Sequence, residues 1–369
     1  MKFLRLAFYV LIAQLVLSGC AGEAVEETSS SSASEINFDA YVGRNASTRS
    51  DVTDMNFLKG SVWNAGFGVF ARYGNTHLMD TEHVTWREDH WGYDHIRFWP
   101  SSGTVNFYAF APYSPQVRMD KLPDDLADKL VDKTHSKDET YIYFPSNLSP
   151  VDLVWANQPN QTAPKSPNSK VKFQFKHALV RLGFDITANQ VLEEKGAVIT
   201  VDKVILYGAN ETSGIFLMAG YLNLKTGDWV PYNNNFSWFY TWTPTGKVDG
   251  KNDEQLKIDG PIYKLSATQL DNNTPSIANE KDSYIFIIPQ DPPKNFNLMI
   301  TYRVQQGDLE ETVTVRKNLL DVLPKDRNPF GVRGKAYTFH FKLSLDPVDF
   351  KVTADVKDWN VGKDETISL

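Results

Sequence analysis

One cysteine stands in 369 residues, and its neighbours decide its chemistry. Lys2 and Arg5 lead into an apolar run, Leu6 to Leu17, interrupted only by Gln14 and too short to span a bilayer comfortably. The run ends in Leu17-Ser18-Gly19-Cys20. Small residues before a cysteine at the end of a signal peptide form a lipobox. There the thiol takes a diacylglyceryl group, the peptide is cut before the cysteine, and the new N-terminus is acylated. The alternative is an ordinary signal peptide with a chance cysteine. Several acyl chains anchor stably where one does not. A lone cysteine also excludes an intrachain disulfide and a cysteine-built metal site.

The remaining candidates for chemistry are weaker. His77, His83, His90 and His95 lie close in sequence to Asp80, Glu82, Asp89 and Asp94, residue types that bind zinc and similar ions. No HExxH or other tight ligand spacing joins them, so no metal site is expected and they read as polar residues of strand edges and loops. Asp249 to Glu254 (DGKNDE) has its glycine misplaced for a calcium loop and reads as a solvated turn. There is no GxSxG elbow, no P-loop and no GxGxxG after a strand, and no carboxylate pair stands out. Nothing supports an enzyme or a cofactor. The net charge is −7 and Lys and Arg are scattered, which argues against nucleic acid as a partner.

Arg49 is a different kind of chemical residue, a site for a trypsin-like protease. It sits in the small, polar run Asn45-Ala46-Ser47-Thr48-Arg49, with Arg44 just before. Ahead of it Ile36, Phe38, Ala40 and Val42 alternate with Asn37, Asp39 and Tyr41, the period of a half-buried strand. Near the other end Val348, Phe350, Val352, Ala354 and Val356 alternate as cleanly, with Trp359 beyond. By themselves both stretches are equally readable as ordinary permanent strands.

The composition is 41% hydrophobic and 13% aromatic, with many Gly, Pro and Asn, as in a β-rich protein with frequent turns. Residues 1–19 are expected to be the lipoprotein signal peptide and 20–35 a Ser-rich flexible tether, whose Glu23, Glu26 and Glu27 resemble a surface-display signal of some bacterial phyla. Residues 36–160 and 171–369 are expected to form an N-terminal and a C-terminal β-sandwich domain, divided by the proline-rich stretch Asn157 to Lys170. Within them, Asp94 to Tyr113 suggests a hairpin about Ser101-Ser102-Gly103, and Met119 to Lys133 a short helix with Leu126 and Leu130 four apart. Val171 to Thr187 suggests a long strand divided near His177. Trp229 to Trp242 suggests a hairpin whose aromatics fill a core or meet a sugar or a partner. Short strands without βαβ alternation predict an all-β, mainly antiparallel fold with one or two short helices.

The order of these motifs carries a resemblance. A lipobox, a polar tether, INFDAYV, an STR-type arginine, FGVFARY, FKHALVRLGF and a terminal run from Gly334-Lys335-Ala336-Tyr337 to VTADVKDW resemble the fimbrillin family, the Mfa-like, type V pilin-like lipoproteins of anaerobic diderm bacteria. The resemblance covers essentially the whole mature chain and implies two transthyretin-like β-sandwiches. It also implies a structural or adhesive pilus subunit carried to the outer membrane by a lipid on Cys20. An arginine-specific protease would cut after Arg49, with Arg44 second, and remove the strand of Ile36, Phe38, Ala40 and Val42. A strand from another subunit, here Val348 to Val356, would fill the groove. The implied partners are other pilin subunits, the outer membrane, and a host or bacterial glycan or protein receptor. The rival reading is a surface lipoprotein that binds glycan without polymerising.

Overall fold

Period-two patterning turns into strands almost everywhere it occurs. The computed structural model describes residues 34–43, 53–130, 134, 137–145, 152–166, 169–188, 198–210, 215–217, 219–232, 240–242, 285–323, 330–343 and 351–358. In chain order the strands are β1 (Phe38–Val42), β2 (Phe67–Tyr73), β3 (Thr76–Arg87), β4 (His90–Gly92), β5 (Val105–Ala111), β6 (Met119–Asp120), β7 (Tyr141–Pro145), β8 (Val154–Gln161) and β9 (Val171–His177). They continue as β10 (Val180–Ala188), β11 (Val198–Tyr207), β12 (Ala219–Asn223), β13 (Trp229–Pro231), β14 (Tyr240–Trp242), β15 (Ile285–Ile287), β16 (Asn297–Gln306), β17 (Leu309–Asn318), β18 (Lys335–Leu343) and β19 (Lys351–Asp358). A one-turn helix, α1 (Met55–Leu58), is capped by the Asp54 carboxylate, which accepts the Phe57 N–H at 2.8 Å.

The largest sheet has seven strands in the order β1-β9-β8-β5-β2-β3-β4. It curls until its two edge strands, β1 and β4, approach each other. One face therefore encloses its own core, with Phe38, Phe67, Val69, Phe107, Phe173 and Phe175 in it. β2 is an interior strand of this sheet, between β5 and β3, and is buried on both faces. From its other side Phe70 joins Phe110, Ile142, Trp155, Leu222 and Ile288 in a second core. Two further four-stranded sheets, β15-β10-β18-β19 and β14-β11-β16-β17, share a third core around Phe216, Phe296, Phe330 and Phe339. A last sheet is ordered β13-β12-β7-β6. Among the described residues all ladders are antiparallel except β1 with β9 and β10 with β18. The fold is all-β and mainly antiparallel, as the short strands and the lack of βαβ alternation predict.

Several local expectations come out differently. Asp94 to Pro100 does not pair with β5; Phe98 instead bridges Glu35, and β5 pairs with β2 and β8. Among the described residues of Met119 to Lys133 there is no α-helix. Met119–Asp120 is β6, and Asp124–Lys129 is a 3₁₀ turn held by Leu122 and Leu126 in a small core with Tyr141 and Val230. Its start after Pro123, without a side-chain cap, favours the shorter form. The two described strands of the aromatic run do not pair with each other, since β13 pairs with β12 and β14 with β11 in another sheet. Strand pairing also crosses the 160/171 division. β9 joins the sheet of the first half, β7 pairs with β12, and the chain passes between sheets at Ala178 and Leu179.

Candidate functional site

β1 is an edge strand with the burial of a central one. Ile36 and Phe38 are 0% exposed, Val42 1% and Ala40 8%, while Asp39 and Tyr41 face outward. Phe38 is the anchor. Its ring stacks on Phe173 at 5.7 Å and meets Tyr93 at 5.5 Å, Phe107 at 5.9 Å and Phe67 at 6.5 Å. Aromatic packing of this kind adds to the area buried and fixes the strand's register.

The backbone of β1 is held asymmetrically. Along its full length it pairs with β9, in parallel, from Phe38 opposite Val171 to Val42 opposite Phe175. Among the described residues, other segments bond the opposite edge chiefly near its start, while the Ala40 N–H donates to the neighbouring Asp39 Oδ1 at 3.0 Å. The Ile36 N–H donates to Arg97 O at 2.8 Å, the Trp99 N–H donates to Ser34 O at 2.9 Å, and the Tyr93 hydroxyl donates to Ile36 O at 2.7 Å. Burial raises the Tyr93 phenol above its usual range, which keeps the neutral donor form. Beyond this clasp the Val42 N–H meets only the Met55 sulfur, at 3.3 Å, a weak acceptor.

Arg44 and Arg49 lie outside the described residues, as does Cys20. Beyond them, Thr53 is tied by side-chain bonds. Its N–H donates to Asp152 Oδ2 at 2.8 Å and its hydroxyl to the Asp152 carbonyl, while Asp152 Oδ1 is 3.0 Å from His177 Nδ1. Thr53, Asp152 and His177 are all buried. The arginine-bearing stretch thus runs between two anchors, the Val42 end of β1 and this polar knot. Neither the knot nor the Tyr93 to Trp99 clasp was visible in local patterning. The buried pairing of Asp152 with His177 joins residues 25 apart, and no spacing rule predicts it.

Toward the other end of the chain, Val352, Ala354 and Val356 lie in β19, which among the described residues is an edge strand paired only with β18. Ala354 is 4% exposed, and Val352 and Val356 are partly buried against the core beneath. Val348 and Phe350 lie outside the described residues.

The histidines are spread out. His77 pairs with Asp80 at 3.0 Å, His95 with Glu82 at 3.1 Å and His90 with Asp89 at 2.9 Å, while His83 stacks on Tyr113. Among the described residues no three His, Cys, Asp or Glu side chains converge as metal ligands would. Arg72, His77, Lys121, Glu139 and Lys225 line a polar cleft in which opposite charges pair with one another. From the aromatic run, Trp229 packs on Phe144 and donates its indole N–H to Ala178 O at 2.7 Å, and Tyr232 packs on Tyr143 and Tyr221. Both rings are half-buried and pack against the cores beneath them. Asp249 to Glu254 lie outside the described residues.

The chain is 25% identical, over 403 aligned positions covering 98% of both chains, to the fimbrium subunit Fim1C of Phocaeicola vulgatus. Its fold is similar to the crystal structure of a fimbrial protein from Bacteroides vulgatus, with a TM-score of 0.62 at 20% identity over 88% of this chain and 99% of that one. The fimbrillin-like family matches residues 48–359, beginning just beyond β1. The chain belongs to the fimbrillin-like family.

Proposed function

We propose that the protein is a structural or adhesive subunit of a bacterial pilus, built at the cell surface with other pilin subunits as its partners. In this reading the chain is exported as an outer-membrane lipoprotein through Cys20 and carries two β-sandwich domains. It is matured by an arginine-specific protease after Arg49, with Arg44 as second site, and polymerises by strand exchange into the place of β1.

One observation carries the reading. A strand whose inward side chains are buried is attached through a single full-length ladder, and it runs on into an arginine-bearing stretch. Losing β1 would uncover the walls around Ile36, Phe38, Ala40 and Val42 and leave β9 with an unpaired edge. At about 25 cal/mol per Å² the lost burial is roughly 5–10 kcal/mol. Bare apolar area and an open ladder together make a receptor for another strand. The knot at Thr53 would hold the new N-terminal end in place, three residues past Ser50.

The test is digestion of the mature protein with an arginine-specific protease, followed by sequencing of the new N-terminus and sizing of the product. The expected result is a terminus at Ser50 and a ladder of non-covalent multimers. Arg49→Ala should abolish both. Resistance at Arg49 under native conditions would sink the maturation step and favour an anchored, glycan-binding lipoprotein.

A further inference from the structure

The polar cleft has a volume of about 690 Å³, within the range of small-molecule sites. The pairing of β2 with β5 sets its floor. Phe70 stands opposite Tyr108 and Arg72 opposite Asn106, so Arg72, Asn106 and Tyr108 share one face of the sheet. Residues 137–140, just before β7, and Lys225, between β12 and β13, form the facing wall. None of the lining residues belongs to β1.

Most of its charges are spent on one another. Arg72 Nη2 lies 2.7 Å from Asp80, Lys225 Nζ 2.9 Å from Asp138 and Lys121 Nζ 3.4 Å from Glu139. His77 stands between Asp80 and Glu139, at 3.0 and 3.4 Å. Lys137 is exposed and makes no ion pair among the described residues. With His77 counted as neutral, four cations thus meet three carboxylates, in a protein whose net charge is −7. Tyr108 is also unpartnered. It is 5% exposed, and its hydroxyl makes no hydrogen bond among the described residues. Burial raises this phenol above its usual range, with Asp138 adding to the shift and Arg72 opposing it, so the hydroxyl lies within reach of both cleft charges. The Asn106 amide oxygen accepts the Asn160 N–H, which leaves its nitrogen as a donor.

We infer that this cleft binds an acidic sugar residue, a uronate or one of like charge, within a surface glycan. Lys137 takes the carboxylate, and the Tyr108 hydroxyl and the Asn106 amide bond the ring hydroxyls. Asp138 and Glu139 accept sugar O–H groups on the lone pairs that their ion pairs leave. The surplus of one positive charge suits one carboxylate, and the same two acidic residues repel a ligand of several negative charges. Apart from the Tyr108 ring the lining side chains are polar, so an apolar ligand gains little there. The inference rests on the adhesive reading above for its biological meaning, but the site itself needs neither β1 nor cleavage after Arg49.

The experiment titrates the full, uncut mature chain by NMR with three probes: the methyl glycoside of glucuronic acid, methyl glucoside, and acetate. The glucuronoside should bind about tenfold more tightly than the glucoside, which lacks the charge, and than acetate, which lacks the hydroxyls. Lys137→Gln should weaken the glucuronoside about five- to tenfold and leave the glucoside unchanged. Tyr108→Phe should weaken both sugars about threefold or more. Both variants should keep the wild-type midpoint in urea, since neither removed group has a bond to lose. Equal binding of the two sugars overturns the acidic selection, and acetate as tight as the glucuronoside overturns the sugar. Wild-type affinity in either variant overturns the role of that residue, and failure of all three probes to bind overturns the site. Because the chain is uncut, each of these failures leaves the pilin reading standing, and resistance at Arg49 leaves the cleft standing.

Discussion

β1 and β19 are both edge strands near the ends of the described chain, and both alternate apolar and polar residues. They are buried to different depths. All four inward residues of β1 are below 9% exposed, while in β19 only Ala354 is. β1 closes a sheet that curls onto itself, so its side chains meet walls from β2, β5 and β9 at once. β19 lies along one edge of a four-stranded sheet above a core that is already filled by β10, β11, β16 and β18. The same pattern therefore yields a core element in one place and a lightly held cover in the other. A strand that can be lost to make a groove should resemble the first, and a strand that can be lent should resemble the second.

The sharpest way to break this contrast is at Phe38. Phe38→Ala should destabilise the uncut protein by about 3–5 kcal/mol, read as a lower midpoint in urea unfolding. A loss as small as that of a β19 truncation would remove the distinction. The knot beyond the arginines comes next. Asp152→Ala strips partners from the buried Thr53 N–H and His177, and should cost about 2–4 kcal/mol. It should also speed amide exchange at Thr53 more than at β19.

A smaller effect is expected at the clasp. Tyr93→Phe removes the hydrogen bond to Ile36 O and should cost about 1 kcal/mol at neutral pH. The phenol is raised above 10 mainly by burial, so the folded state keeps a proton that the unfolded state gives up sooner. Its stabilising contribution is complete below pH 10 and is lost as pH rises through the folded value. Tyr108, Tyr113 and Tyr221 are raised for the same first reason, so both proteins lose stability in alkali. The wild type should lose more than Tyr93→Phe, and parallel alkaline curves would remove Tyr93 from the clasp. The mildest change is Val352→Ala in partly buried β19, expected at about or below 1 kcal/mol in the same unfolding assay.

Patterning was enough to find β1, because four apolar residues at every second position have one way to face a core. It also located the break near His177, where Val171, Phe173 and Phe175 end one alternation before Val180 begins another. It was not enough to choose partners. Ile96, Phe98 and Trp99 have the residue types of a hairpin strand, yet the segment is drawn to Glu35 and Ile36 because Tyr93 and Arg97 bond the start of β1. Trp229 and Trp242 sit in one aromatic run and still enter different sheets.

By itself the sequence determined that this chain is built of strands, which side chains of β1 point inward, and that an arginine-bearing polar stretch follows them. Those are local matters, set by side-chain period and by the absence of turn or helix signals. Only the tertiary structure decided that β1 pairs in parallel with β9, that the sheet curls to enclose Phe38, and that Thr53 is tied to Asp152 and His177. Each of these joins residues far apart in the chain. Their free energy comes from area and hydrogen bonds that exist only once the whole sheet has closed.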